Sequence, residues 1–351
     1  MKMMIRSIRL ERFRGVQEGF IDDLRQVTLL IGRNGSGKSS ILEALYMMSA
    51  CSSPIDDVRG INKLDYVVNR RGSRGSWDDA RSILWYTLDT SNPITIELGI
   101  REGKCTFQIF DAPLSHRPVR LKTPAGFVEL AEGYCAKSPQ ELWLTTSRID
   151  IKGLTELRDY LRGFLFIDRH LLAKPKAIEK SSWSKVAAKR LDKQIIFMIR
   201  EEFEVDAESL TYIPIGDEYC LALQTSETTT RVDDLGDGAR AALLSSLLIL
   251  AYRPTLVLIE EPELHMHPAG LYTYMKFLLK LMKQFNAQLI ASTHSIELVQ
   301  ITEALAKELN LDFTVKFIER EKGVLKARSF SSDDIEMLRK LGIDPRLLHK
   351  F

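Results

Sequence analysis

Gly32-Arg33-Asn34-Gly35-Ser36-Gly37-Lys38-Ser39 follows the apolar run Val27-Thr28-Leu29-Leu30-Ile31 and leads into Ile41-Leu42-Glu43-Ala44-Leu45. The order is strand, glycine-rich turn, helix, with the G-x-x-x-x-G-K-S spacing of a phosphate-binding loop. Glycines let backbone N–H groups turn inward around an anion where a side chain would block the approach. The helix that starts near Lys38 adds the positive end of its dipole. Lys38 can reach β- and γ-phosphates, and Ser39 can hold Mg²⁺ through its hydroxyl. The stretch from Gly32 to Ser40 is therefore read as a nucleotide site.

Outward from this loop, the composition narrows the classes. A chain of 351 residues with 45% hydrophobic and 27% charged residues has ordinary globular values and can bury a full core. A formal net charge of +2 makes any nucleic-acid surface local rather than global. No apolar run approaches the ~20 residues of a membrane span. Met1-Lys2-Met3-Met4-Ile5-Arg6 runs straight into a strand-like pattern that leaves no room for a signal peptide, so a cytoplasmic location with no membrane partner is expected. The four cysteines, Cys51, Cys105, Cys135 and Cys220, lack paired C-x-x-C spacing and are read as packing residues.

Strands are expected over 5–10, 27–31, 94–100, 105–110, 163–167, 211–215, 219–225, 255–259, 287–291, 314–319 and 324–330. The strands over 94–100 and 105–110 form a hairpin turning at Glu102-Gly103-Lys104. Helices are expected from Ser39 to about Ala50, from Lys176 to about Phe203, from Leu235 to Arg253, over 268–284 and over 333–341. Strands alternating with helices on both sides of a looser middle imply a mostly parallel sheet with functional loops at strand ends. The fold class is thus α/β, with a nucleotide-binding domain over 1–50 and 211–351. A mixed insertion over 51–210 and an antiparallel β lobe complete it.

Leu256-Val257-Leu258-Ile259 ends in Glu260-Glu261-Pro262-Glu263, an apolar strand delivering adjacent carboxylates to a sheet edge. The first carboxylate can bind Mg²⁺, and the second can orient or deprotonate an attacking water. His294 follows another apolar strand, where its imidazole could face a γ-phosphate. Leu235-Gly236-Asp237-Gly238-Ala239-Arg240 places glycines at a helix N-terminus, either as a second anion site or as a plain cap. Two features are basic. One is the stripe Lys176, Lys180, Lys185, Lys189 and Lys193. The other is Arg70-Arg71-Gly72-Ser73-Arg74, which has the look of a mobile loop. Each could grip phosphate backbone or be a solvated face.

Together, the phosphate loop, Leu-Gly-Asp-Gly-Ala-Arg, Glu-Glu-Pro-Glu-Leu-His-Met-His-Pro and Ser-Thr-His-Ser resemble the RecF/SMC/OLD branch of ABC-type ATPases. They are most similar to the ATPase domain of overcoming-lysogenisation-defect proteins, and Ile-Arg-Leu-Glu-Arg-Phe-Arg-Gly resembles that branch's first strand. The resemblance covers about 1–50 and 230–330. It implies ATP and Mg²⁺ as cofactors and a P-loop NTPase fold. It further implies a head-to-tail homodimer in which Gly236, Asp237 and Gly238 meet ATP held by the second subunit's phosphate loop. In that scheme Glu261 is the catalytic base, Lys38 and His294 act on the phosphates, and Ser39 and Glu260 hold the metal. Leu264-His265-Met266-His267-Pro268 would cross the interface, and DNA or a separately encoded effector would be the partner in repair or defence. The alternative is an ATP-gated protein-interaction module that does not bind nucleic acid.

The chain departs from the family pattern in several places. Gly236 stands where a serine is usual, and Glu260 stands where an aspartate is usual. Gln108 and Gln224 are candidates for the glutamine loop, neither in a convincing context. The short stretch after His294 is expected to hold no Toprim nuclease domain. Asp333-Asp334 reads instead as a helix cap.

Overall fold

The computed structural model describes residues 3–72, 74–100, 103–114, 119–123, 126–129, 151–202, 206–330 and 334. A hairpin of β1 (Ile5–Phe13) and β2 (Val16–Ile21) precedes β3 (Val27–Ile31), from which the glycine loop leads to α1 (Lys38–Met48). Then come α2 (Lys63–Asn69) and α3 (Trp77–Ala80), followed by β4 (Ile94–Ile100), β5 (Gly103–Ile109), β6 (Val119–Thr123) and β7 (Gly126–Glu129). Helix α4 (Ile151–Arg162) enters β8 (Phe164–Ile167), and α5 (Arg169–Leu172), α6 (Pro175–Ala187) and α7 (Asp192–Glu202) leave it. Strands β9 (Ala207–Ile215), β10 (Glu218–Thr225) and β11 (Thr229–Arg231) form a small antiparallel sheet. The chain closes with α8 (Asp237–Tyr252), β12 (Leu256–Glu260), α9 (Pro268–Phe285), β13 (Gln288–Ser292), α10 (Ile296–Leu309), β14 (Phe313–Glu321) and β15 (Val324–Phe330).

The main sheet has twelve strands in the order β7-β6-β5-β4-β1-β2-β15-β14-β3-β13-β12-β8. From β14 through β3, β13 and β12 to β8 every neighbour is parallel. On the other side, from β2 through β1 and β4 to β7, every neighbour is antiparallel. The burial pattern follows this division. All five residues of β3 are buried, as in a parallel strand covered on both faces. β4 alternates buried and half-buried residues, as in a strand with one face turned to water.

Successive side chains on a strand point to opposite faces, and the core divides accordingly. Val27, Leu29 and Ile31 pack into one core with the buried faces of α8, α9 and α10. Leu30 joins the other core with α1, α2 and α4. Val257 and Ile259 of β12 take the first face, Leu256 and Leu258 the second. The stretch 51–210, expected as an insertion, supplies β8 to the parallel side and β4 to β7 to the antiparallel side. No helix among the described residues is long and apolar enough to cross a membrane.

Several expectations are corrected. The single helix expected from Lys176 to Phe203 is two helices, because the chain turns at Arg190 in the left-handed region (φ 54°). The turn lets Ile178 and Val186 of α6 and Ile195 and Ile199 of α7 reach the same core. Helix α10 was not expected, although Ser295 caps it by accepting a hydrogen bond from Leu298 N at 3.0 Å. Ile100 pairs with Gly103 across the β4–β5 hairpin, whose turn residues Arg101 and Glu102 lie outside the described residues. Cys135, Asp333 and residues 335–341 of the expected C-terminal helix also lie outside them, and Asp334 alone of that stretch is described, as helical. Cys51, Cys105 and Cys220 are buried free thiols, in keeping with packing.

Candidate nucleotide site

The parallel strands deliver their C-terminal ends to one edge in register. Glu260 pairs with Ser292, and Ile259 is flanked by Ala291 on one side and Ile167 on the other. At that edge β3 gives the glycine loop, β12 gives Glu260-Glu261, β13 gives Ser292-Thr293-His294 and β8 gives Asp168-Arg169-His170. This is the edge where open α/β sheets bind ligands. The strand ends surround a cleft of roughly 550 Å³ lined by Asn34 to Ser40, Glu260, Glu261, Ser292 and His294.

Glycine is required at position 32. Its φ is 141°, and a Cβ there would lie 2.3 Å from the Ile318 carbonyl oxygen. Gly37, with φ 107°, starts α1 in the left-handed region and leaves the first helical N–H groups aimed at the loop. Lys38 Nζ donates to Gly32 O at 2.8 Å and Arg33 O at 3.0 Å, so the loop's own carbonyls hold the ammonium over its mouth. Burial lowers the Lys38 pKa to about 8, against the opposing pull of Glu261 and Glu263. A phosphate would restore the lost counter-charge.

The carboxylates differ sharply. Glu261 sits in the left-handed region (φ 47°), its N–H donating to Ser292 O at 2.9 Å. Its carboxylate is half-buried and 3.7 Å from His294 Nε2. Glu260 is held by both terminal nitrogens of Arg70. Glu263, the third acid of the run, accepts from the Thr293 hydroxyl and from His294 N at 3.1 Å, and so ties the β12 end to the β13 end. Burial raises its pKa despite those bonds.

Behind the cleft lies a buried charge cluster that no local motif marks. Glu43, one turn into α1 and fully buried, accepts from Arg14 at 3.0 Å, Arg70 at 2.8 Å and Arg71 at 3.0 Å. Burial alone would raise its pKa, but Arg14, Arg71 and Arg70 hold it below the usual carboxylate range. Asp168, at the tip of β8, is met by Arg59 at 3.3 Å, Arg70 at 3.2 Å and the Tyr66 hydroxyl, and it caps α5 through Leu171 N. Burial opposes the charge on Arg70, yet Glu43, Glu260 and Asp168 keep it above its ordinary value.

The structure brings Gly35, Ser36, Gly37, Lys38, Ser39, Ser40, Asn34, Glu260, Glu261 and His294 to this one cleft. Gly32 and Arg33 contribute the carbonyls that hold Lys38. Gly236, Asp237 and Gly238 do not line it. Asp237 lines a neighbouring cleft with Arg240 and the segment Glu260 to Met266. Gly238 is explained by a close approach, since a Cβ there would lie 2.8 Å from His265 O. His267 caps α9 through Ala269 N at 3.3 Å. Gln108 lies on β5, and Gln224 accepts from Ser209 at 3.0 Å; neither lines the cleft.

The basic loop needs correction, because its first two arginines are folded onto Glu43 and Arg70 is itself buried. On the lysine stripe, Lys176 pairs with Glu218, and Lys185 lies 3.7 Å from the centre of the Tyr252 ring. Gly15, Arg169, His170 and Arg320, all missed in the sequence, also line the cleft. Ser39 and Glu260 offer the hydroxyl and carboxylate oxygens a hard divalent cation takes, so the residues present fit Mg²⁺.

The architecture is that of an SMC-head-like P-loop ATPase. The chain superposes on an Smc head bound to the C-winged helix domain of ScpA, with TM-score 0.57 and 13% identity over 94% of this chain and 98% of that one. It also superposes on an SMC head from Pyrococcus furiosus bound to the C-terminal domain of ScpA, with TM-score 0.57 and 12% identity over 97% and 100% of the two chains. Residues 3–105 match the family model "AAA ATPase domain". Residues 189–300 match a second model, described as an AAA domain and linked in its description to a type IV TA system.

Similar proteins include an uncharacterized protein of Methanocaldococcus jannaschii, 29% identical over 32% of this chain and 99% of its own. An ATP/GTP phosphatase of Helicobacter pylori is 29% identical over 26% of this chain and 24% of its own. The DNA replication and repair protein RecF of Trichlorobacter lovleyi is 41% identical over 13% and 12%. This chain therefore spans about a quarter or less of those last two. The fold is thus that of the SMC-head-like P-loop ATPases, and two separate stretches of the chain match AAA-domain models.

Proposed function

We propose that the protein is an ATP-gated switch in which two copies close head to tail over ATP. One observation carries this reading. The phosphate loop, Glu261 and His294 share one cleft, while Asp237 of the same chain lines not this cleft but an adjoining one that shares Glu260 and Glu261 with it. A second copy would bring its Gly236-Asp237-Gly238 segment to the open side of the triphosphate. In this reading Lys38 leaves the Gly32 and Arg33 carbonyls to pair with the β- and γ-phosphates. Glu261 orients and deprotonates the attacking water. His294, its backbone fixed by Glu263, faces the γ-phosphate and reports its loss. Mg²⁺, when bound at Ser39 and Glu260, supplies charge neutralisation of the β- and γ-phosphate oxygens. Hydrolysis then reopens the pair.

The proposed setting is DNA repair or defence, acting on DNA or with a separately encoded effector. The RecF name among the relatives supports the first, and the type IV TA description supports the second. A second reading, a protein-interaction module without nucleic acid, is favoured by the internal use of Arg70, which removes it from a DNA-gripping surface. Sedimentation of Glu261→Gln with ATP tests the switch. A nucleotide-dependent dimer that does not turn over is expected, and a monomer saturated with ATP would overturn the shared site. ATPase stimulation by duplex DNA that fades with added salt would favour the DNA setting.

A further inference from the structure

Arg70 ends α2, is buried, and touches carboxylates from three separate elements: Glu43 on α1 at 2.8 Å, Asp168 at the tip of β8 at 3.2 Å, and Glu260 at the end of β12. On Glu260 both terminal nitrogens are engaged, one to each carboxylate oxygen. That fork occupies the oxygens a divalent cation would need. We propose that Arg70 is a positioning residue that holds the Glu260 carboxylate and hands it over to the divalent cation. The proposal rests on the reading of Glu260 as a metal residue given above.

The physical case has two parts. A partly buried carboxylate left without a partner is costly, so Glu260 needs a positive charge beside it whenever no metal is bound. Arg70 supplies it. When Arg70 lets go, it keeps Glu43 and Asp168 and so never becomes an unpaired buried charge. The release therefore costs only the Glu260 bonds. The same step reaches the cleft by a second route. Asp168 caps α5, which begins with Arg169 and His170, and both line the cleft. Arg70 thus touches, through Asp168, the turn that carries those two side chains into the cleft.

A competing guanidinium weakens binding of a divalent cation that arrives without nucleotide. Bonds of this kind are charge-assisted, so removing them should strengthen cation binding by about tenfold. The test is equilibrium binding of Mn²⁺ to the nucleotide-free protein, read from the electron paramagnetic resonance of the free ion. Wild type, Arg70→Gln, Arg70→Lys, Glu260→Gln and the double variant Arg70→Gln/Glu260→Gln are compared. The expected result is tighter Mn²⁺ binding in Arg70→Gln by about tenfold, a smaller gain in Arg70→Lys, and weak binding in both variants lacking Glu260. Thermal melts establish that each variant is folded, and if Arg70→Gln is not, Arg70→Lys decides.

Unchanged or weaker Mn²⁺ binding in a folded Arg70 variant, with binding still lost in Glu260→Gln, would overturn the handover alone. Mn²⁺ binding indifferent to Glu260→Gln would overturn the metal role of Glu260, and the handover with it.

Discussion

The two halves of the main sheet use the same kinds of residue to opposite ends. On the antiparallel side, Lys104 and Glu97 pair across β5 and β4 at 2.8 Å with the lysine mostly in water. On the parallel side, Arg70 and Glu43 pair at the same distance with both side chains almost wholly buried. Distance does not separate these pairs; surroundings do. A solvated pair contributes little because water already satisfies both charges, whereas a buried one cannot lose a partner without leaving a desolvated charge behind. The parallel half is covered on both faces and ends its strands in register, so it can enclose charges and aim them. The antiparallel half keeps one face half-open and makes a scaffold.

The sharpest way to break this comparison is Glu43→Gln, which leaves Arg14, Arg70 and Arg71 short of their common carboxylate. We expect a loss of about 3–5 kcal/mol in urea unfolding, and a loss below about 1 kcal/mol would place the cluster with the surface pairs. Next comes Lys38→Ala. ATP affinity by calorimetry should fall by about two orders of magnitude, near 3 kcal/mol, while the melting temperature changes little.

A pH series sharpens the same point. Burial lowers the Lys38 pKa to about 8, so ATP affinity should be level below that pH. Above it, affinity should fall by up to about tenfold per unit as the ammonium is lost. The folded pKa of this lysine lies below its unfolded value. Its burial therefore costs stability while it is charged, and stability from this group rises between about pH 8 and pH 10. For Glu43 and Asp168 the sign is reversed. Their folded pKa values are depressed, so their contribution is present above about pH 4 and is lost as the pH falls through the folded values. The smallest effect belongs to Lys104→Ala, where a change within about 0.5 kcal/mol is expected and a loss above about 1.5 kcal/mol would erase the distinction between the halves.

How much of this was legible in the sequence follows from how local each signal is. β3, the glycine loop and α1 lie within one short run, and apolar continuity, glycine spacing and helical pattern coincide there. β8 was readable as Phe164-Leu165-Phe166-Ile167 with a polar tip, because a strand buried on both faces needs no partner to look like one. Its neighbour in the sheet was not readable, since pairing with β12 joins residues far apart in the chain. Arg70 shows the limit most clearly. Its local company of arginines and glycines has the composition of a solvated loop, yet its partners Glu43 and Glu260 lie 27 and 190 residues away. Only the fold brings them together. Glu263 was more accessible, because the third acid of Glu-Glu-Pro-Glu stands out; its bonds to Thr293 and His294 depend on β12 lying beside β13.

The most direct test of the central claim is ATP turnover by the purified protein beside Glu261→Gln, with nucleotide binding measured on both. The account predicts that wild type hydrolyses ATP and that Glu261→Gln binds ATP with similar affinity but does not turn it over. Turnover by Glu261→Gln at the wild-type rate would contradict the assignment of the cleft, as would a wild-type protein that binds no ATP.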